Sequence, residues 1–222
     1  MSDNWGEKMC GRFTLSDISN LKSRYQLDFP DIEPSYNIAP GQEILVIIRK
    51  DVPHVTLLRW GLIPFWSKEK TAGMINARAE TVEQKPTFKH SFIKQRCLIP
   101  ADGFFEWKKG KPRKKPYRFI MKDEKVFSFA GLWDAWTFPE GKTIYSCAII
   151  TTAANELIEP IHNRMPVILS PEAEKAWLSK DAGVQTLKGL LKPYPSELMD
   201  SYEVADLVNS PRNNTPQVIK PV

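Results

Sequence analysis

The sequence is poor in the residues that staple or metallate a small fold. Its 222 residues include three cysteines (Cys10, Cys97, Cys147) and three histidines (His54, His90, His162). An odd, widely spaced set of cysteines makes neither a disulfide framework nor a CxxC metal pair. There is no HExxH either, so no zinc site and no bound cofactor are expected. No apolar run approaches the ~20 residues that span a bilayer. The opening MSDNWGEK lacks the apolar stretch of a signal peptide, so a cytoplasmic protein without membrane partners is expected. GxxxxGK[ST], GxGxxG and GxSxG are all missing, and nucleotide-fold and serine-hydrolase readings lack support.

What is present is ordinary for a folded globule. Apolar residues make up 42% and charged residues 26%, which excludes collagen, coiled coil and a wholly disordered chain. A chain this long buries about 70–75% of its unfolded surface and needs no staple.

The charge is uneven. There are 31 bases and 26 acids, a net +5, and the stretch Lys108–Arg118 holds seven of the bases (Lys108, Lys109, Lys111, Arg113, Lys114, Lys115, Arg118) and no acid. Outside it 24 bases face 26 acids, a balance of −2, so one segment carries the whole excess. Such a patch suits nucleic acid; it is equally what a solvated hairpin tip looks like.

Short β-branched or aromatic runs bounded by turn residues predict strands at Ile44–Arg49, Val55–Trp60, Arg96–Ile99, Phe104–Trp107, Tyr117–Met121, Val126–Leu132 and Tyr145–Thr151. The basic run is the tip of a hairpin between Phe104–Lys109 and Pro116–Met121, and the last two strands pair through Thr137–Lys142. Helices are predicted after Ser16 (carrying Ile18, Leu21 and Tyr25), over Ala154–Ile161, from Ser170-Pro171-Glu172 to about Leu178, and after Asp181. Strands do not alternate with long helices. The fold class is therefore α+β, a single β-rich domain of mixed, mostly antiparallel sheets with short flanking helices. Residues 1–8 form a polar N-terminal extension, a tail or an upstream start, and 9–222 the domain.

Several residues could carry chemistry. Cys10 follows Met9. It is either a small buried hydrophobe or, with Met9 as initiator and removed, a free 1,2-aminothiol. Such a group condenses with an aldehyde to an imine, and its thiol then closes a five-membered thiazolidine. Asn76-Ala77-Arg78-Ala79-Glu80 joins an amide, a cation and a carboxylate. Glu106 alternates with Phe105 and Trp107 and so faces away from them. It is either a surface residue on a half-buried strand or a carboxylate raised toward neutrality for acid–base work. His162 stands at a helix-to-strand junction, structural or catalytic. Of the aromatics, Trp66 and Trp107 adjoin Lys or turn residues and are best placed for a surface on which bases stack.

Met9-Cys10-Gly11-Arg12-Phe13, Tyr36-Asn37-Ile38-Ala39-Pro40, Arg59-Trp60-Gly61-Leu62-Ile63-Pro64, Asn76–Glu80, Pro100–Trp107, Ile150–Ala153 and Ile161–Val167 occur in an order and spacing that resembles the SOS-response-associated peptidase (SRAP) family, the abasic-site processing proteins. The resemblance runs from Met9 to the C-terminus and implies a β-rich domain with a basic DNA channel. It implies binding of abasic sites in single-stranded DNA in the DNA damage response, and a covalent thiazolidine cross-link through Cys10. Asn76 would position the Cys and the sugar oxygens, Glu106 would shuttle protons, and His162 would assist sugar-ring opening. Arg12, Arg78 and Arg164 would hold phosphates, and Pro40, Trp66 and Trp107 would pack on bases. Lyase-type cross-linking chemistry, an autoproteolytic removal of the residues before Cys10, a monomer, and in a bacterium a nucleoid location follow from the same likeness. Eight residues precede Met9 here. While they persist, Cys10 has an amide nitrogen and forms no imine, so a start at Met9 or processing is required. The competing readings are a non-catalytic single-stranded DNA-binding module and a Cys-dependent peptidase.

Overall fold

The computed structural model describes residues 10–110, 113–123 and 125–222. The expectations for residues 1–8, Met9 and Lys111 fall outside them. Among the described residues, thirteen strands form two sheets. The smaller sheet has the order β13 (Met199–Glu203), β8 (Lys115–Met121), β7 (Gly103–Lys108), β1 (Phe13–Leu15), β2 (Ser35–Ile38), all antiparallel. The larger contains β3 (Glu43–Arg49), β4 (Pro53–Trp60), β6 (Arg96–Ala101), β9 (Phe127–Thr137) and β10 (Thr143–Ala153). These five close on themselves, because β10 pairs antiparallel with β9 and parallel with β4. Three short strands, β5 (Asn76–Arg78), β11 (Arg164–Pro166) and β12 (Ile168–Leu169), hang on β10 and β9.

The sequence runs explain this barrel. Strands such as Ile44–Ile48 and Cys147–Ile150 are apolar without interruption because both their faces are buried. Cys97, Ile99, Phe129, Cys147 and Ile149 pack with Phe13, Phe104 and Phe119 of the smaller sheet. Their alternate neighbours Leu98, Ala130, Leu132, Ala148 and Ile150 pack with Phe88 and Phe92 of helix α2 (Pro86–Lys94) and Trp177 of helix α3 (Pro171–Leu178). A third cluster, Phe105, Val204, Val208 and Val218 with Trp107, seats the C-terminal segment on the far face of the smaller sheet.

Both predicted hairpins form: β7 pairs with β8, and β9 with β10. Ser170 caps α3, accepting from the Ala173 N–H. Three helix expectations are corrected. Helix α1 is only Leu21–Tyr25, because Ser16 spends its N–H and hydroxyl on the Asp102 carboxylate, both at 2.6 Å. Ala154–Ile161 is a series of turns, with Asn155 capping the Ile158 N–H and holding the Tyr194 carbonyl; Pro160 cannot donate to continue a helix. Helix α4 (Val184–Leu190) begins after Gly183, and Asp181 does not cap it. The three cysteines are free and buried.

Candidate functional site

The start of β1 builds the site. Phe13 pairs with Phe104 and Thr14 with Gly103, and the ladder continues as the Phe105 N–H donates to the Arg12 carbonyl at 3.0 Å. Following that antiparallel register backward brings Cys10 beside Glu106. The Cys10 main-chain N–H donates to Glu106 Oε1 at 2.7 Å. Strand alternation sends Phe105 and Trp107 to the third core cluster and turns Glu106 to the side of Phe104 and Cys10. Glu106 is 3% exposed and Cys10 1%, so the surface alternatives for Glu106 do not hold.

Burial sets the chemistry of both groups. Desolvation pushes the Glu106 carboxyl up to about 8, against the pull of the Cys10 and Trp107 N–H groups. The Cys10 thiol is raised well above its usual value by burial and by Glu106.

Asp102, in the turn before Glu106's strand, anchors this arrangement. Its carboxylate accepts from Thr14 Oγ1 at 2.5 Å, from the Ser16 N–H and hydroxyl, and from the Asp17 N–H at 2.7 Å, and it pairs with buried Arg118 at 3.3 Å. Arg118 is thus an internal cation, not part of a basic surface.

Glu106 opens onto a cavity of about 1190 Å³ also lined by Arg12, Pro40, Arg78, Trp107, Lys109, Arg113, Lys114, His162 and Arg164. Most of the sequence-predicted residues therefore meet in one place. Arg78 is exposed on β5. Arg12 donates to Asn37 Oδ1 at 3.0 Å and to the Val208 and Asn209 carbonyls. Arg164 is held by Glu80 and by the Thr151 carbonyl at 2.7 Å. The Trp107 indole N–H donates to Asn209 Oδ1 at 2.8 Å. His162 Nδ1 accepts the Arg164 main-chain N–H at 3.1 Å, so the neutral ring carries its proton on Nε2. Burial, with Lys109, Arg164 and Lys114 close by, lowers its pKa.

Three predicted residues do not line the cavity. Cys10 is buried behind it, reached through its contact with Glu106. Asn76 is half-buried on β5, opposite Ile149 of β10 and on the same strand face as Arg78. Trp66 is 52% exposed in the loop after β4. The basic run is partly neutralised, since Arg113 pairs with Asp206 at 2.5 Å and Lys115 with Glu203 at 2.9 Å. Sequence reasoning missed Asn209, which lies in a turn-rich stretch without periodicity. It also gave no role to Glu80, although the motif containing it was in view.

Among the described residues, no cluster of three or more His, Cys, Asp or Glu is placed to hold a metal ion, and no helix is long and apolar enough to cross a membrane.

Comparison with known proteins adds the context. The family described as "SOS response associated peptidase (SRAP)" matches residues 9–211. The chain is 49% identical to the abasic site processing protein YoqW of Bacillus subtilis, over 96% of this chain and 99% of that one. It is 34% identical to the abasic site processing protein HMCES of Xenopus tropicalis, over 86% of this chain and 67% of that one. A crystal structure of a protein from Bacteroides thetaiotaomicron superposes with a TM-score of 0.87 at 31% identity, covering 96% of this chain and all of that one.

Proposed function

This chain belongs to the SOS response associated peptidase family, and from that premise we propose that it processes abasic sites in single-stranded DNA, cross-linking to them through Cys10. The observation that carries the proposal is the 2.7 Å bond between the Cys10 nitrogen and Glu106. With the residues before Cys10 removed, that nitrogen is an α-amine already in contact with a buried acid–base group. Relatives that carry the name abasic site processing protein support the abasic-site part of this reading.

The steps balance as a condensation. The sugar hemiacetal first opens to its aldehyde: the anomeric hydroxyl loses a proton and the ring oxygen gains one. His162, neutral and with Nε2–H available, assists that transfer. The Cys10 amine adds to the aldehyde carbon, and the carbinolamine loses water to give an imine. Glu106 takes the proton from nitrogen and delivers one to the departing hydroxyl. Burial raises its carboxyl to about 8 while the Cys10 nitrogen is an amide; an α-ammonium at the same place draws it down from there, so the pair exchanges a proton near neutral pH. The Cys10 sulfur then bonds to the imine carbon, its proton passes to nitrogen, and a thiazolidine remains. One water is released overall, and neither metal nor cofactor enters. Ring closure removes the imine that would promote β-elimination of the strand.

Binding follows from the cavity wall. Arg78, exposed, contacts a phosphate beside the lesion. Arg12 and Arg164 line the same cavity while held by internal partners and add positive potential. Asn76 positions the Cys and the sugar oxygens. Pro40 and Trp107 pack on neighbouring bases, and Trp66 contacts the strand farther out. A single chain supplies every group of this scheme, which a monomer can therefore carry out, and abasic DNA as substrate suits a cytoplasmic protein that in a bacterium works on the nucleoid. We assign the peptidase activity of the family's description to removal of the residues before Cys10. A peptidase acting on other proteins is disfavoured, because a thiol protease has no need of the α-amine that the contact between the Cys10 nitrogen and Glu106 would serve.

The test is protein beginning at Cys10 mixed with single-stranded DNA carrying one abasic site. A heat-stable adduct on a denaturing gel, with intact mass equal to the two components less one water, supports the proposal. Salt-sensitive binding without an adduct, from protein whose mass proves a free Cys10 terminus, would leave a non-catalytic DNA-binding module.

A further inference from the structure

Glu80 and Arg164, 84 residues apart in sequence, grip one another as a two-pronged ion pair, with Arg164 Nη2 at 2.9 Å from Glu80 Oε2 and Nη1 on Oε1. The pair crosses a strand. In this stretch β10 is flanked by β5 on one side, where Thr151 is opposite Arg78, and by β11 on the other, where Ala153 is opposite Arg164. The Thr151 carbonyl accepts from both sides: from the Ala79 N–H at 2.8 Å and from Arg164 Nη2 at 2.7 Å. The Arg164 side chain is 14% exposed, and its main-chain N–H is the donor to His162 Nδ1. A flexible surface ion pair contributes little. This one is bidentate, anchored to a carbonyl of a buried residue, and joins the two segments that carry the site.

We propose that Glu80 is a positioning residue for this site: through Arg164 it fixes the spacing between the strand bearing Asn76 and Arg78 and the segment bearing His162. The inference rests on the cross-linking chemistry proposed above. Glu80 touches no reacting atom in this scheme. It spends the Arg164 guanidinium on structure, and it offsets a positive charge beside His162, which also feels Lys109 and Lys114. The rival possibility is that Arg164 is a phosphate ligand that Glu80 merely restrains.

The two are separated with protein beginning at Cys10, comparing wild type, Glu80→Gln and the charge swap Glu80→Arg/Arg164→Glu. Three quantities are read: the single-turnover rate of adduct formation at saturating DNA, the affinity for an oligonucleotide with a tetrahydrofuran site that cannot form an imine, and the His162 titration midpoint by NMR. For Glu80→Gln the rate is expected to fall about tenfold, as for a displaced reacting group, with affinity changed less than about twofold. The His162 midpoint should move down, because the Arg164 charge is no longer offset. The charge swap, which restores the ion pair but not the bond to the Thr151 carbonyl, should recover part of the rate and move the midpoint up. Tighter binding with an unchanged rate in Glu80→Gln would overturn the proposal in favour of a restrained phosphate ligand. So would a His162 midpoint that ignores both variants. If wild type itself forms no adduct, the cross-linking reading fails, while the His162 midpoints still decide whether the clasp acts on His162.

Discussion

The main-chain nitrogen of Cys10 and the carboxylate of Glu106 meet at 2.7 Å across 96 residues of sequence. The contact is made inside the fold, where Glu106 is held at a pKa of about 8 by desolvation. That shift ties stability to pH. A carboxyl whose pKa rises from 4.5 unfolded to about 8 folded leaves the native state binding more protons between those values. Its stabilising contribution is complete below about pH 4.5 and is lost as pH rises through about 8. Glu106→Gln removes the titration. The variant should therefore gain stability relative to wild type as pH goes from 5 to 9, by a few kcal/mol in total. Urea unfolding of both proteins at several pH values measures this, and parallel pH profiles would show that Glu106 ionises normally.

Replacing the sulfur separates the two covalent steps. In protein beginning at position 10, Cys10→Ser keeps the α-amine but loses the nucleophile that closes the ring stably. Borohydride should still trap its imine with abasic DNA, whereas the heat-stable adduct formed without reductant should disappear. A heat-stable adduct from Cys10→Ser would mean that sulfur is not in the bond.

Much of this arrangement was legible in the sequence, and the exceptions have physical reasons. The barrel strands were readable as apolar runs because both faces are buried, and the placing of Glu106 on the face opposite Phe105 and Trp107 followed from strand alternation, which did not say which face was the inner one. Ser170-Pro171-Glu172 marked α3 through local capping chemistry. Helix α2, Pro86–Lys94, was missed because its buried face is only Phe88, Ser91 and Phe92, too short a stripe to show a period. Ser16 looked like a cap, but Asp102, 86 residues away, claims it. The parallel pairing of β4 with β10 that closes the barrel is a long-range choice with no local mark. In the site, motif residues pointed to Glu106, Arg78 and His162. The commitments of Arg12 to the Val208 carbonyl and of Arg164 to Glu80 depend on chain crossings that spacing does not reveal.

Asp102 is the strongest test of what holds the site together. Its carboxylate collects the donors at the end of β1 and neutralises buried Arg118. Asp102→Asn keeps the shape, removes the charge and exchanges one acceptor for a donor. Leaving a buried guanidinium without its counter-ion should cost about 3–5 kcal/mol, read as a lower denaturation midpoint. A loss below about 1 kcal/mol would place Asp102 among ordinary surface polar groups.

The three arginines of the cavity should not behave alike. Arg78 is exposed and makes no ion pair among the described residues. Arg12 has the Asn37 side chain and two carbonyls as partners, and burial lowers its pKa. Neutralising a phosphate of a single strand releases counterions, which adds a slope of about 0.7 to the fall of log affinity with log salt. Arg78→Ala should therefore weaken binding of single-stranded DNA and flatten that slope by about 0.7. Arg12→Ala removes a tie between β1 and the C-terminal segment, so it should lower thermal stability while changing the slope less. Fluorescence anisotropy over a salt series, with melting curves on the same samples, measures both. Equal slopes for wild type and Arg78→Ala would remove Arg78 from phosphate contact. The reverse pattern, with Arg12 carrying the slope, would mean that DNA displaces Arg12 from its carbonyl partners when it binds.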